Sequence, residues 1–304
     1  MRQRVVMGAA TAAGVIVMGA LVAAGVSQGW LSPNGGAKRL LLGAQRDATQ
    51  GRVVEAQAKL EQLVGTHADS PWTDDGLLAL GGVYEQQTKL TEARAAYRTL
   101  LEKFPSSNLL GQAQLRLGTV NVALLFSPAV TEADTSYAVQ PGDTLGGIAQ
   151  RFNTTIDTLR RANGIAGDVI RPAQKLKVPK GHFSVVVDKS SNQLLLTEDN
   201  QFFKAYPVAT GKENATPEGS FKIVNKIPNP VWYKQGASVP PDSPDNVLGT
   251  RWMGFDKKGY GIHGSVDPSD IGQYVTAGCV RMTNADVEEL YTILPVGADV
   301  TIVE

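Results

Sequence analysis

The spacing of apolar residues changes twice along this 304-residue chain, near residue 127 and again near residue 183. Before the first change, apolar positions recur at the spacing of helices, and after the second they alternate as in strands. A chain of this length can hold several separate cores. The sequence therefore predicts a multidomain α+β protein rather than one continuous fold.

The N-terminal segment is apolar and uncharged. Arg2 and Arg4 precede the 22 residues from Val5 to Val26, none of which carries a charge. This exceeds the ~7–15 apolar residues of a secretory signal and fits the ~20 of a membrane span. We therefore expect residues 1–30 to be a transmembrane signal anchor in the cytoplasmic membrane, with the remaining domains in the cell envelope or periplasm. The small residues at 23–25 keep cleavage as an alternative.

Residues 37–126 have a helical pattern that repeats. The clearest copy has the apolar, glycine and proline spacing of a helix–turn–helix unit, at Leu77, Leu80, Gly81, Tyr84, Ala93, Tyr97, Leu100 and Pro105. A weaker copy runs from Leu42 to Leu63, and a partial one includes Leu115. The segment resembles tetratricopeptide repeats. Such helices imply an envelope protein partner, with a spacer or a dimerisation arm as alternatives.

A short linker over residues 127–136 precedes a segment with the order strand–helix–helix–strand, over residues 136–180. Asp143 and Thr155 are the expected N-caps of its two helices. The stretches "QPGDTLGGIAQRF", "LRRANGI" and "LKVP" resemble the LysM module, with Ala173 where that family usually has glycine. The resemblance implies binding of peptidoglycan glycan strands, and the alternative is a folded spacer. The residues it implies for the sugar groove are Gly142, Asp143, Thr144 and Leu145, with the loop from Ile165 to Ile170.

Residues 183–304 contain strand-like runs and one clear helix, "NADVEELYTIL", for which Asn284 is the expected cap. The sequence predicts a mostly-β domain. A Pro/Gly-rich loop over residues 228–249 is long enough to expect a function, and we consider it a lid. Its Trp232 and Tyr233 either line a substrate groove or pack beneath the loop, whereas Trp252 is expected in the core.

Composition excludes several classes of protein. The 29 basic residues balance the 29 acidic ones, which argues against binding of nucleic acid. A single cysteine permits no intrachain disulfide, and the three histidines do not form a Cys/His cluster with zinc spacing. We expect neither a metal nor a cofactor.

Cys279, the only cysteine, follows His263 by sixteen residues. From residue types alone it is either an inert core residue or a nucleophile whose base is this histidine. A nucleophile also needs donors for the oxyanion. The backbone amides of Gly278 and Cys279 are the candidates.

The segment from Val185 to Val303 resembles the L,D-transpeptidase (YkuD-type) catalytic domain. The motifs that carry the resemblance are "YPVATGK", "TPEGSFKI", "NVLGTRWMGF", "GIHGS" and "GCVRM". It implies that Cys279 is the nucleophile and His263 the general base. Gly264 stands where some members have serine, so only its backbone carbonyl remains to orient the imidazole. Arg281 is implied to bind a substrate carboxylate or to support the site, unless it is merely structural.

The resemblance also implies an activity on peptidoglycan stem peptides. Cys279 would form a thioester and expel D-alanine, and a second stem or a protein amine would then take the acyl group, giving a 3–3 cross-link in the first case. Carbapenems would acylate the same thiol. Two alternatives stay open, a hydrolase that resolves the same thioester with water and a non-catalytic peptidoglycan-binding scaffold.

Overall fold

A computed structural model of the chain describes residues 35–234 and 236–304. The predicted signal anchor at residues 1–30 lies outside the described residues. Within the described part, no helix combines the length and the apolar character needed to cross a bilayer. The described residues form a helical repeat region, a small βααβ unit and a mostly-β domain, as expected for a multidomain α+β protein.

Helices fill the repeat region. They are α1 (Gly35–Thr49), α2 (Val53–Thr66), α3 (Thr73–Gln86), α4 (Leu90–Lys103) and α5 (Leu110–Leu125). The first four pack as two consecutive pairs. Gly81 is needed for the second pair, because a Cβ there would lie 2.3 Å from the ring of Tyr97 on the facing helix. The third repeat consists of α5 alone, which leaves its apolar face to be covered by something else.

The small unit has the predicted order of elements. They are β1 (Asp134–Ala138), α6 (Leu145–Arg151), α7 (Ile156–Asn163) and β2 (Lys175–Pro179). β1 pairs antiparallel with β2 and begins within the predicted linker. Thr155 caps α7 as expected, but the cap of α6 is Thr144, whose hydroxyl accepts from the Gly147 amide. Asp143 instead accepts from the Tyr137 hydroxyl and the Gln140 amide, so it fixes the turn before the helix.

The C-terminal region is built on strands. They are β3 (Phe183–Asp188), β4 (Gln193–Glu198), β5 (Gln201–Pro207), β6 (Thr210–Gly211), β7 (Gly219–Pro228), β8 (Trp232–Lys234), β9 (Ala237–Val239), β10 (Arg251–Phe255), β11 (Gly261–His263), β12 (Tyr274–Thr276), β13 (Val280–Arg281) and β14 (Asp299–Val303). Eight of them form one sheet in the order β13-β11-β10-β7-β14-β3-β4-β5. The apolar core of this region includes residues from both the sheet and the helix α8 (Asn284–Ile293).

The start of α8 differs from the prediction by one residue. Thr283, in extended conformation, is the N-cap, and its hydroxyl accepts from the Asp286 amide at 3.1 Å and donates to the Asp286 carboxylate at 2.7 Å. Asn284 is therefore the first helical residue, and its side chain is available for contacts outside the helix.

The three regions contact one another. The α5 helix packs against the edge strand β5, where the Asn121 side-chain amide donates to the Phe203 carbonyl at 2.8 Å. The buried ammonium of Lys177 in β2 donates to the carbonyls of Leu124 (2.6 Å) and Ser127 (3.0 Å) at the end of the repeats. The edge strand thus covers the helix that has no repeat partner.

A further contact joins the small unit to α8. The hydroxyls of Thr155 and Thr158, at the start of α7, both donate to the carbonyl of Thr292, near the end of α8. The last helical carbonyls have no partner within their own helix, so this contact satisfies one of them.

Candidate active site

The register of two short strands places Cys279 on the same face of the sheet as His263. β11 and β13 are parallel, with Ile262 opposite Val280 and His263 opposite Arg281. Continuing the register by one residue puts Cys279 opposite Gly261. Because side chains alternate along a strand, Cys279 and His263 lie on one face, while Ile262 and Val280 are fully buried on the other.

His263 is held by its own backbone neighbour. The residue is 3 % exposed, and Nδ1 is 2.6 Å from the carbonyl oxygen of Gly264. A carbonyl can only accept, so Nδ1 carries the proton and Nε2 keeps a free lone pair. Burial lowers the imidazole pKa to about 4; the hydrogen bond to Gly264 raises it, and the charge of Arg281 lowers it. The ring is therefore neutral at physiological pH and able to accept a proton.

The thiol of Cys279 is half-buried and is 3.6 Å from the Gly259 carbonyl, to which it donates. Burial raises its pKa, against the opposing effects of a backbone hydrogen bond with Gly261 and the charge of Arg281. With a raised thiol pKa and a lowered imidazole pKa, the two side chains rest as a neutral pair. The thiolate must then form during the reaction, when a base removes the proton.

The turn before Cys279 requires glycine. Gly278 has φ = +129°, and a Cβ there would lie 2.7 Å from the ring of Tyr260 and 2.8 Å from the Ala215 carbonyl. The Gly278 amide donates to the Thr276 hydroxyl at 3.2 Å, and this hydroxyl donates to the Cys279 carbonyl at 2.7 Å. The Gly278 amide is thus engaged within the turn when no substrate is bound. Donation to an oxyanion by the Gly278 and Cys279 amides stays a prediction.

Arg281 lies on the same face as Cys279 and His263. Its Nη1 donates to the carboxylate of Asp270, and its side chain is 15 % exposed. Its buried Nε has no hydrogen-bond partner among the described residues. The ion pair with Asp270 favours a supporting role over direct binding of a substrate carboxylate.

Trp252 was expected in the core, and the structure corrects this. It is half-buried, and its ring stacks on that of His263 with the centroids 6.1 Å apart. Its Nε1 donates to Asn225 at 3.1 Å. The contact arises because Trp252 pairs with His263 across β10 and β11. This register cannot be read from the sequence, so no signal there identified Trp252 as part of the site.

The loop expected to act as a lid forms a hairpin of β8 and β9. At its base, the fully buried side chain of Asn246 donates to the carbonyls of Pro230 (2.9 Å) and Pro240 (3.1 Å). Tyr233 is 79 % exposed, so it does not pack beneath the loop, whereas Trp232 is half-buried. A function as a lid stays a prediction.

A second concave surface lies on the small unit. This cleft of about 600 Å³ is lined by Asn163, Gly164, Ile165, Val169, Arg171, Pro172, Ala173 and Gln174. Of the residues implied for the sugar groove, Ile165 lines it, whereas Gly142, Asp143 and Thr144 do not. Leu145 is 2 % exposed and belongs to the core of the unit, so its predicted place in a groove is wrong. Ile170 is half-buried against the same core.

Ala173, at the cleft, has φ = +65°. This is the left-handed region in which glycine is preferred, and it explains why glycine is usual at this position of the LysM pattern. Among the described residues, no group of three or more His, Cys, Asp or Glu side chains is arranged to hold a metal ion.

Comparisons with known protein families identify each of the three regions. Residues 182–302 match the family model YkuD, described as the L,D-transpeptidase catalytic domain. Residues 137–179 match the LysM domain, and residues 41–108 and 78–134 match tetratricopeptide repeats. The three resemblances seen in the sequence are therefore confirmed.

The matches to individual relatives differ in length. YkuD of Bacillus licheniformis is 37 % identical over 174 residues, which are 55 % of this chain and 97 % of that protein. YqjB of Bacillus subtilis is 43 % identical over 126 residues, 40 % of this chain and 70 % of that protein. Both are named as L,D-transpeptidases. A solved L,D-transpeptidase from Mycobacterium smegmatis aligns with 43 % of this chain and 64 % of its own, at 18 % identity and a TM-score of 0.35.

Proposed function

The chain belongs to the L,D-transpeptidase family with a YkuD-type catalytic domain, and from this premise we propose that it joins peptidoglycan stem peptides through a thioester on Cys279. The observation that carries the proposal is the register of β11 and β13, because it puts the only thiol of the chain on the same sheet face as a neutral, backbone-anchored imidazole. A nucleophile, a base and a group that orients the base are the parts needed for acyl transfer by a cysteine.

In the first step, Cys279 Sγ attacks the carbonyl carbon of the third residue of a tetrapeptide stem, meso-diaminopimelate or an equivalent. His263 Nε2 takes the thiol proton as the sulfur–carbon bond forms, and the carbonyl π electrons move onto the oxygen. When the tetrahedral species collapses, the bond to D-alanine breaks and His263 returns the proton to the leaving amine. The neutral resting pair suits this sequence, because the same ring accepts and then donates one proton.

In the second step, the amine of another stem attacks the thioester and His263 takes its proton. The new carbon–nitrogen bond forms, the sulfur–carbon bond breaks, and the proton returns to Cys279. The product is a 3–3 cross-link. Water must be kept from the thioester until the amine arrives, and the β8–β9 hairpin is the proposed shield.

The other two regions are proposed to bring the polymer to this site. The LysM unit would bind glycan strands at the cleft next to Ala173 and raise the local concentration of attached stems. The repeats would bind an envelope protein through the surfaces that do not contact β5. These assignments place the catalytic domain in the cell envelope.

The test uses the full-length protein and a disaccharide-tetrapeptide, with products followed by mass spectrometry. We expect free D-alanine and a dimer joined through the third residues. Cys279→Ala should reduce turnover by at least about 1000-fold, since it removes the nucleophile. Because the chain has one cysteine, a carbapenem adduct on the intact protein reports on Cys279 alone.

The matched control compares histidines. His263→Gln should reduce turnover by at least about 100-fold through loss of the general base, whereas His182→Gln, at a half-exposed position beside Asp299, should leave it within about twofold. Full turnover in Cys279→Ala would overturn the mechanism. Formation of tripeptide without dimer would show that water resolves the thioester. The absence of both a product and a carbapenem adduct would support a non-catalytic scaffold.

A further inference from the structure

Asn284 contacts the active-site backbone without being needed to cap its own helix. Thr283 caps α8, and the Asn284 Oδ1 accepts from the amide of Thr250 at 3.1 Å. Thr250 lies directly before β10 and directly after the residue 228–249 loop. The side chain of Asn284 thus joins the start of α8 to the end of that loop.

Two glycines lie against the same oxygen atom. A Cβ built on Gly249 or on Gly264 would be 2.2 Å from the Asn284 Oδ1. The Gly249 position would also clash with the Gly264 carbonyl carbon at 2.6 Å. Two separate backbone segments therefore converge on one amide oxygen, and each needs glycine to do so.

Gly264 is the residue that orients the candidate base. Its carbonyl accepts from His263 Nδ1, and its amide donates to the Arg251 carbonyl at 3.2 Å. The Gly264 peptide is thus held by β10 on one side and packed against Asn284 on the other. A shift of this peptide would change both the direction of the imidazole and the tautomer that the carbonyl selects.

We propose that Asn284 is a positioning residue for His263, acting through the backbone of Gly249, Thr250 and Gly264. The amide oxygen fixes the Gly264 carbonyl, and this carbonyl fixes the proton on Nδ1. The same oxygen holds the end of the hairpin loop, so the placement of the loop and the orientation of the base depend on one side chain. The proposal rests on the proposed function of His263 as general base.

The chain offers a matched control in the same turn of α8. Asp286 accepts from the Thr283 hydroxyl at 2.7 Å, so Asp286→Ala weakens the helix start. Neither Gly264 nor Thr250 has a hydrogen bond to Asp286. A role of Asn284 that is limited to helix stability would therefore be reproduced by Asp286→Ala, whereas a positioning role would not.

The experiment compares Asn284→Ala, Asn284→Asp and Asp286→Ala in the full-length protein. Carbapenem acylation and tetrapeptide turnover give the rates, and nitrogen-15 NMR of labelled histidine gives the His263 tautomer, assigned with His263→Gln. We expect Asn284→Ala to lower the acylation rate constant by about 10- to 100-fold, to change KM by less than about threefold, and to mix the tautomers.

The conservative variant Asn284→Asp should restore what Asn284→Ala loses. Asn284→Asp keeps the acceptor for Thr250, so most of the acylation rate and the Nδ1-protonated tautomer should return. The added negative charge should raise the imidazole pKa and so move the acid limb of the pH–rate profile to higher pH. In Asn284→Ala this limb should move to lower pH, because the hydrogen bond to Gly264 raises the imidazole pKa. A mere loss of stability would not move the acid limb in opposite directions in these two variants.

Two results would overturn the proposal: an unchanged tautomer in Asn284→Ala, or an equal loss of rate in Asp286→Ala. Failure of the proposed function has a different signature, since His263→Gln would then retain turnover. The tautomer of His263 in the Asn284 variants tests the positioning role in that case too, because it is measured without substrate.

Discussion

The strands around Cys279 and the cleft of the LysM unit are both marked by clear sequence motifs, yet they are built in different ways. His263 in β11 is 3 % exposed, and the nearby Gly261, Gly264 and Gly278 have no space for a Cβ. The LysM cleft is bordered by exposed loop residues, among them Val169 at 80 % exposure. Several glycines of the unit, such as Gly142 and Gly167, have open space where a Cβ would be added.

This difference predicts where the chain tolerates change. At Gly278 and Gly264, directly before Cys279 and after His263, an added methyl group has no free space and would displace the backbone next to these side chains. In the LysM loops, an added methyl group changes only the conformational preference of the backbone. Substitutions of similar size should therefore have large effects on rate in the first region and small effects on stability in the second.

Among the changes that test this difference between the two regions, the largest effect is expected for Gly278→Ala. The new Cβ would meet Tyr260 and Ala215, so the backbone before Cys279 must move, and acylation by a carbapenem should slow by at least about 100-fold. Gly272→Ala is the control, since φ is +88° there and nothing lies within 4 Å of the added atom. It should destabilise the protein by about 1–2 kcal/mol and change the rate by less than about twofold. Equal rates in both variants would contradict the comparison.

The pH dependence of acylation is expected to show the next largest effect. The pKa of His263 is lowered to about 4, mainly by burial, so the ring stays neutral at pH 5.5, where about nine tenths of an ordinary imidazole is protonated. The second-order rate constant, measured from pH 4 to 8, should keep most of its value at pH 5.5. An acid limb between pH 6 and 7 would show that His263 is not buried in this way.

The lowered pKa of His263 also makes the free energy of unfolding depend on pH. The unfolded chain binds a proton at His263 below about pH 6.5, and the folded protein binds it only near pH 4. Stability from this residue is therefore present above about pH 6.5 and falls as the pH drops toward 4. Urea unfolding of His263→Gln, which lacks the titrating group, should show a weaker loss of stability over this interval.

The smallest effect is expected in the LysM unit. Ala173→Gly removes the strain of a left-handed alanine and should raise the free energy of unfolding of this unit by roughly 0.5–1 kcal/mol. The carbapenem acylation rate should not change. Thermal unfolding followed by circular dichroism gives the shift, and a lowered melting temperature would show that the loop relies on alanine for packing.

The sequence predicted the types of elements because these depend on local residue patterns. The pairing of Cys279 with His263 came from the resemblance of "GIHGS" and "GCVRM" to a known family, since residue types alone left the role of Cys279 open. Errors arose where neighbouring residues compete for one role. At Asp143 and Thr144, and again at Thr283 and Asn284, both residues are good N-caps, and backbone geometry selects one of them. The sequence contains no measure of that geometry.

Other parts of the site depend on contacts between distant segments. The stacking of Trp252 on His263 follows from the pairing of β10 with β11, and the place of Asn284 follows from the way α8 meets two glycine turns. The docking of α5 on β5 likewise joins residues that are 82 positions apart, Asn121 and Phe203. Such contacts are set by the assembled sheet, so single-sequence patterns cannot locate them.

The hydrogen bonds from Thr155 and Thr158 to Thr292 make α8 a link between the LysM unit and the strands around Cys279. At 1.5 Å per residue, its ten residues form a rod of about 15 Å, with the LysM unit at one end and the turn after His263 at the other. The LysM unit is therefore joined through α8 to the backbone beside His263. On the proposed function, this connection would set the direction in which a glycan strand held by the LysM unit presents its stems to Cys279.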